Sequence, residues 1–343
     1  MGRYTLLGSQ MSPYSMKMYA YLQFKGVPFD WEERSLLNSR KFRKHAEVAL
    51  IPMLFRPDGS AMQDSTLMME REIEPGFPEP SVTHPEPAAA FLALLLEEFG
   101  DEWCNKLMFC QRWWGEEDQS WTGRRLAHLM IGVTWWGRLV QPLAGPLIVR
   151  RMVPRLEFAG GSEMNRPHLV ASWQTLLADM EAHLGSRPYL FGGRPTLGDF
   201  SIFGQLVEAY SDVEAGRYIR THHPVVEAWI RRMHHASVEG DFEPLESLMP
   251  TLAPLMQRSV ADRFLRWSCA NARAWQAGDP KTSLEFDGRP YTQKTFKYHV
   301  FSLHELYRKF VALQDNSDVR DALGDCGCLP YFVDAQGELA RAA

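Results

Sequence analysis

The order of strand and helix signals over residues 4–76 limits the possible folds of this 343-residue chain more than any other feature. Tyr4–Gly8 is a short apolar run, which predicts a buried strand. Pro13–Lys25 follows as a predicted helix, and Gly26 stands where helices commonly end. Val27–Glu33 then places apolar side chains at alternate positions, which predicts a second strand. A strand, a helix and a strand in this order imply a parallel pair.

The next residues add an antiparallel edge to this pattern. Ser39–Ala49 is polar and basic and predicts a helix. A Pro-Asp-Gly turn separates Ile51–Phe55 from Ser60–Gln63, which predicts a β-hairpin. Asp64–Ser65 then caps a predicted helix that runs through Glu72. The order β-α-β-α-β-β-α indicates a small α/β domain.

A proline-rich connection marks the best domain boundary in the chain. Pro78–Pro87 contains four prolines, which make a stiff polar link. Helical signals dominate after it, and Thr196 and Asp199 have the spacing of a capping box before an apolar run. Pro224–His235 predicts the last helix of this part. We therefore expect an α/β domain over residues 1–78 and an all-helical domain over residues 86–241.

Residues 242–343 form a third region, the extension, which is expected to be mostly helical and whose role the sequence does not show. Ser259–Trp275 and Thr292–Gln314 predict two amphipathic helices, and Leu284–Phe286 and Tyr291 flank a turn between them. The large apolar side chains of this region are Phe264, Trp267, Trp275, Phe296, Val300, Leu303, Tyr307 and Phe310. Such a surface is too apolar to lie exposed, so we expect the extension to pack on the helical domain of its own chain.

Charge and cysteine content argue against several classes of protein. A net charge of −5 without a long basic stripe disfavours nucleic acid as a partner. The most apolar run, Ala88–Leu96, is about half of the ~20 residues that span a bilayer, so no membrane partner is expected. Five irregularly spaced cysteines favour a reducing cytoplasm over a disulfide framework. Cys326 and Cys328 lack the further ligands of a zinc site, so no metal is expected.

Four features together resemble glutathione transferases of the serine type. Ser12–Ser15 reads Ser-Pro-Tyr-Ser, which is similar to their active-site motif, and Ile51–Pro52 stands at the place of their cis-proline. Asp64–Ser65 corresponds to the pair that holds the γ-glutamyl group, and Thr196–Asp199 to the capping box of their core helix. The resemblance covers Tyr4–Val238 and implies a thioredoxin-like α/β domain followed by an all-α glutathione-transferase-type domain. It does not reach the extension.

The resemblance implies that Ser12 acts on the thiol of glutathione, the co-substrate. A thiol with a pKa near ~8.5 is mostly protonated at neutral pH, so the site has to favour the thiolate. Ser12 can donate a hydrogen bond to the sulfur at the positive end of the helix dipole. A simple helix cap is the alternative role for Ser12. Ser9, Tyr14 and Ser15 are the alternative thiol ligands.

Other residues are expected to hold the ends of glutathione. If Pro52 is cis, the backbone of Ile51 can pair with the cysteinyl part of the peptide. Ser65 can bind the γ-glutamyl carboxylate at the start of a helix, and Asp64 can face the γ-glutamyl ammonium. Helix capping is the alternative for both. The candidates for the glycyl carboxylate, on a stretch basic enough to be plain solvated surface, are Arg40 and Lys41.

The second substrate is expected to be an apolar electrophile that lies between the two domains. The side chains that could line its pocket are Tyr14, Phe109, Trp113, Trp114, Trp121, Trp135 and Trp136. Large aromatic residues at helical spacing are more often core, which is the alternative for this set.

The resemblance thus implies a homodimeric enzyme that activates glutathione through Ser12 for attack on the electrophile. A non-catalytic binding or scaffold protein, with the extension as an interaction module, is the alternative. For the enzyme, we expect the extension to lie beside the second-substrate cleft.

Overall fold

A four-stranded sheet organises the N-terminal part of the protein, in a computed structural model that describes residues 2–132 and 137–333. The strands are β1 (Tyr4–Gly8), β2 (Phe29–Glu33), β3 (Met53–Phe55) and β4 (Ala61–Gln63). Their order is β2-β1-β3-β4, with β1 parallel to β2 and β3 antiparallel to both β1 and β4. The predicted parallel pair and antiparallel hairpin are therefore both confirmed.

Helices follow these strands where the sequence predicts them. They are α1 (Pro13–Phe24), α2 (Ser39–His45), α3 (Ser65–Leu67) and α4 (Glu74–Gly76). Wider π-helical turns over Met68–Ile73 join α3 to α4, so the helical stretch ends four residues beyond the predicted Glu72. The whole arrangement is the thioredoxin-like α/β fold that the sequence predicts.

Helices alone build the next part of the chain. They are α5 (Pro87–Phe99), α6 (Asn105–Trp114), α7 (Glu116–Ile131), α8 (Gly137–Met152), α9 (Arg166–Leu184), α10 (Leu197–Ser211), α11 (Val213–His222) and α12 (Pro224–Met233). Helix α10 is the buried central one, and the predicted capping box is present, with the Thr196 N–H and hydroxyl donating to Asp199 Oδ2 at 2.9 and 3.0 Å. The all-α domain is confirmed.

The extension contains more helix than predicted, and also a hairpin. Its elements are α13 (Leu245–Leu255), α14 (Arg266–Gln276), β5 (Lys281–Phe286), β6 (Arg289–Lys294), α15 (Lys297–Val311) and α16 (Ser317–Asp325). The π-helical turns Met256–Leu265 join α13 to α14, so this helical stretch begins fourteen residues before the predicted Ser259. The predicted helix start at Thr292 is wrong, because Thr292 pairs with Ser283 in the β5–β6 hairpin.

The extension packs on the helical domain through aromatic rings, as predicted. Phe99 lies 6.1 Å from Phe264, and Trp103 lies 5.7 Å from Trp267, measured between ring centroids. Trp275 is the exception, since its side chain is 43% exposed. The helical stretch of residues 87–114 therefore contacts the extension through Phe99 and Trp103, and it contacts the thioredoxin-like domain through Glu97.

Candidate active site

The sheet register brings three candidate segments to one edge. Leu7, Met53 and Gln63 form a row across β1, β3 and β4. Strands β1 and β4 run in the same direction, because each is antiparallel to β3. The loop after β1, the Ile51–Pro52 segment before β3 and the turn after β4 therefore meet at the same edge. Two helix N-termini, those of α1 and α3, begin there and present their N–H groups.

Ser12 is the N-cap of α1, with Pro13 at the first helical position. Its Oγ accepts a hydrogen bond from the Ser15 N–H at 3.4 Å, and its side chain is half-buried. That bond uses a lone pair of the hydroxyl, so the hydroxyl proton is available to donate outward. The capping role and a role as thiol ligand are compatible in this geometry.

The alternatives to Ser12 are less available to a ligand. Ser15 is fully buried, and Ser9 is buried with its Oγ accepting from the Met11 N–H at 3.3 Å. The Tyr14 hydroxyl donates to the backbone carbonyl of Asp101 at 2.8 Å. Burial, followed by nearby carboxylates, raises the pKa of Tyr14 well above its ordinary value, so the phenol stays protonated.

Asp64 begins α3 in an unusual backbone conformation. It has φ +77°, a region that costs a residue with a side chain of the order of ~1–3 kcal/mol and that clusters at functional sites. Its Oδ1 accepts from the Thr66 and Leu67 N–H groups at 3.1 and 3.2 Å. Ser65, the next residue, is buried at the helix start. The predicted capping is therefore present, and Oδ2 of Asp64 is not used for it.

The remaining glutathione candidates differ in their surroundings. The Ile51–Pro52 peptide bond is cis, with Ile51 half-buried. Lys41 is already engaged, since its ammonium pairs with Glu32 and lies 4.5 Å over the Phe55 ring. Arg40 is exposed, and no ion pair holds it among the described residues. Of the two basic candidates, Arg40 is the freer.

A buried lysine that the sequence analysis missed lies beneath this edge. Lys17 Nζ is 2.6 Å from Glu97 Oε1 and 2.7 Å from Asp101 Oδ2, and the Thr66 hydroxyl donates to Glu97 at 2.6 Å. Burial alone would lower the pKa of Lys17, but the two carboxylates raise it above the ordinary lysine value. Burial also raises the pKa of Asp101 to about 6, against the opposing charge of Lys17. This network joins α1 and α3 to the helical domain.

The extension also contributes side chains that the sequence did not place here. Tyr298 donates from its hydroxyl to Asp64 Oδ2 at 3.2 Å, and His299 contacts Glu102. Residues 64 and 298 are 234 positions apart, and the sequence pattern of α15 indicates only its apolar face. No local pattern could have indicated this contact.

Not all of the aromatic side chains that were candidates for the second-substrate pocket are accessible. Trp113 is 1% exposed and packs in the interior, so it does not line an open cleft, which corrects the prediction for this residue. Trp114 is half-buried and donates from Nε1 to the Gly161 carbonyl at 3.0 Å, while Phe109 is half-buried beside Trp113. Trp121 is exposed. Trp135 and Trp136 lie outside the described residues.

All five cysteines are buried and unpaired. Over residues 2–132 and 137–333, no three His, Cys, Asp or Glu side chains are grouped as a metal site would require. No helix in the described part of the chain has the length and apolarity to span a membrane.

Two segments of the chain match known domain families. Residues 11–71 match the glutathione S-transferase N-terminal domain, and residues 163–232 match the glutathione S-transferase C-terminal domain. The protein therefore carries the two domains of the glutathione S-transferase family, followed by residues that neither match covers. No curated protein matches the chain.

Solved structures of similar proteins are distant in sequence. A glutathione S-transferase from Methylobacterium radiotolerans, in complex with glutathione sulfonate, is 20% identical over 71% of this chain and 97% of that one, with a TM-score of 0.41. A rice glutathione S-transferase in complex with glutathione is 20% identical over 67% and 85%, with a TM-score of 0.40. A beta-etherase from Sphingobium is 19% identical over 67% and 94%, with a TM-score of 0.43.

Proposed function

We propose that this protein is a glutathione transferase-like enzyme that binds glutathione at the sheet edge and activates its thiol at Ser12. One observation carries the proposal: the N-termini of α1 and α3, with Ser12 and Asp64 as their caps, begin at the same edge of the sheet. Helix N-termini attract anions, so one can hold a thiolate and the other a carboxylate.

Ser12 lowers the pKa of the glutathione thiol in this proposal. Its hydroxyl donates to the sulfur, and the dipole of α1 adds partial positive charge. Each unit of pKa lowering requires only ~1.4 kcal/mol, which one hydroxyl and a helix N-terminus can supply. Ser12 thus acts as a ligand of the sulfur and forms no covalent intermediate. The thiol proton passes to solvent. The thiolate then attacks an apolar electrophile between the two domains and forms a thioether, either by opening a double bond or by displacing a leaving group as an anion.

The ends of glutathione are assigned to the neighbouring segments. Ser65 binds the γ-glutamyl carboxylate through its N–H and hydroxyl, and Asp64 Oδ2 faces the ammonium group. The Ile51 backbone pairs with the cysteinyl part. Arg40 takes the glycyl carboxylate, because the ammonium of Lys41 is held by Glu32.

The proposal includes the wider organisation of the protein. We assign domains to residues 1–78, 86–241 and 242–343, a homodimeric state and a cytoplasmic location. The scaffold alternative depends on an extension that is free to bind partners. The packing of Phe264 and Trp267 on the helical domain favours the enzyme over that alternative.

Retention on immobilised glutathione, followed by a generic conjugation assay, tests the proposal. The enzyme should be retained, eluted by free glutathione, and should conjugate at least one apolar electrophile. Retention without turnover of any electrophile would favour the scaffold, and absence of retention would contradict glutathione binding altogether.

A further inference from the structure

The extension enters the candidate site at the start of α15. Tyr298 donates a hydrogen bond to Asp64 Oδ2 at 3.2 Å. Asp64 Oδ1 is occupied by the backbone N–H groups of Thr66 and Leu67. Oδ2 is therefore the carboxylate oxygen that can face a ligand, and the Tyr298 hydroxyl is already bound to it.

Contacts with both domains fix the position of α15. His299, beside Tyr298, contacts Glu102 of the helical domain. Lys309, three turns further along α15, pairs with Glu70 in the helical stretch that Asp64 begins. All four of these side chains are at least three-quarters buried. The hydrogen bond holds the phenol of Tyr298 over Asp64. Because Tyr298 is 63% exposed, the phenol is still open to a ligand.

At least one carboxylate beside Tyr298 has no cationic partner. Asp64, Asp101 and Glu102 all act on Tyr298 electrostatically. Lys17 pairs with Asp101, and His299 contacts Glu102. Among the described residues, no cationic side chain pairs with Asp64. An ammonium group of a ligand would supply the missing positive charge.

We infer that Tyr298 is a specificity residue for the α-ammonium group at the γ-glutamyl end of glutathione, an inference that rests on the proposed function. Its hydroxyl continues to donate a hydrogen bond to Asp64 Oδ2, while its oxygen accepts a hydrogen bond from the ammonium. Asp64 and Tyr298 together then recognise the one cationic group of the tripeptide. The extension in this way completes the substrate site from the same chain.

Calorimetric titration of the full-length protein with two ligands tests the inference. One ligand is glutathione, and the other is glutaryl-cysteinyl-glycine, which is the same tripeptide without its α-ammonium group. Tyr298→Phe keeps the ring and removes the hydroxyl. It should weaken glutathione binding about tenfold, because a hydrogen bond to a charged group is lost. Binding of glutaryl-cysteinyl-glycine should change by less than about twofold, because this ligand has no ammonium group for the Tyr298 hydroxyl to contact.

Tyr210→Phe is the matched control. It also removes a hydroxyl that donates to a carboxylate, Glu227 Oε1 at 2.8 Å, but on the α10–α12 face. It should leave the affinity for both ligands unchanged.

Every other result overturns the inference. Equal weakening of both ligands would mean that Tyr298 supports the site as a whole and does not recognise the ammonium group. Tighter glutathione binding by Tyr298→Phe would make Tyr298 an inhibitory cover, and unchanged glutathione binding would leave it without a role. If the unaltered protein binds neither ligand, the proposed function fails as well. If the unaltered protein binds glutathione, only the inference about Tyr298 is at stake.

Discussion

The helical stretch of residues 87–114 meets its two neighbours in different ways. On the side of the thioredoxin-like domain, Lys17 is buried against Glu97 and Asp101. On the side of the extension, rings pack on rings, as Phe99 does on Phe264. The first contact is thus an ion-pair network, whereas the second is mainly aromatic packing with a few polar contacts, such as that of His299 with Glu102.

This difference assigns separate tasks to the two interfaces. Aromatic packing is stabilising chiefly through the large apolar area that it buries. A buried ion pair is weak evidence for net stability, but it is costly to break and demands a defined geometry. The Lys17 network therefore orients α1 and α3 at the candidate site, while the aromatic face stabilises the extension.

Removing a ring from the apolar interface should have the largest effect. Phe264→Ala should lower the free energy of unfolding by about 3–5 kcal/mol, because it leaves a cavity among buried rings. Phe301→Ala, at an exposed site of the same extension, should change it by less than about 0.5 kcal/mol. Urea denaturation measures both. Equal losses would show that the extension does not depend on this interface.

Breaking the polar interface should lower the free energy of unfolding at pH 8 by about as much as Phe264→Ala does. At pH 5 the loss should be smaller. Lys17→Met leaves Glu97 and Asp101 without their cation, which costs about 3–5 kcal/mol. The pKa values of the unpaired carboxyl groups then rise in the folded state. The folded protein holds protons that the unfolded chain has released, so the variant regains stability as the pH falls.

Denaturation of Lys17→Met at pH 8 and pH 5 measures this effect. The loss caused by Phe264→Ala should be the same at both pH values, and Lys44→Met, at an exposed position of α2, should have little effect. If the loss of unfolding free energy in Lys17→Met is the same at pH 8 and pH 5, the two interfaces do not differ in the way described.

A smaller effect is expected at a polar contact on the extension side. His183 lies buried between the Leu190 carbonyl at 2.8 Å and the Thr251 hydroxyl at 2.7 Å, with Thr251 in α13 of the extension. Burial lowers the pKa of His183 to about 4. Between pH 6.5 and 4 the unfolded chain therefore binds a proton that the folded protein does not, and stability falls as the pH is lowered.

His183→Gln should remove this part of the acid sensitivity. Between pH 6.5 and pH 5, the free energy of unfolding of the unaltered protein should fall by about 2 kcal/mol more than that of the variant. His235→Gln, at an exposed site, is the control. Parallel pH profiles for the unaltered protein and His183→Gln would contradict the expectation.

Features that depend on neighbouring residues could be predicted from the sequence. The capping box of Thr196 and Asp199 and the Pro-Asp-Gly hairpin are local, because the residues that make the contacts are few positions apart. The cap at Ser12 belongs to the same class.

Features that depend on distant residues could not be predicted. Pro250 and Pro254 lie inside α13, and prolines normally argue against a helix, so the sequence does not indicate where α13 begins. The residues around Thr292 are compatible with a helix, but Thr292 pairs with Ser283 in the β5–β6 hairpin. The contact of Tyr298 with Asp64, and the burial of Lys17 between two domains, exist only in the folded chain.

Titration of the bound glutathione thiol tests the central claim most directly. Thiolate absorbance near 240 nm, followed against pH, should give a pKa for the bound thiol in the unaltered protein at least one unit below that in Ser12→Ala, a difference of about 1.4 kcal/mol. Ser15→Ala, which removes a buried serine two residues inside α1, should leave the thiol pKa unchanged. Equal thiol pKa values in the unaltered protein and Ser12→Ala would contradict the account, because Ser12 would then be a helix cap and nothing more.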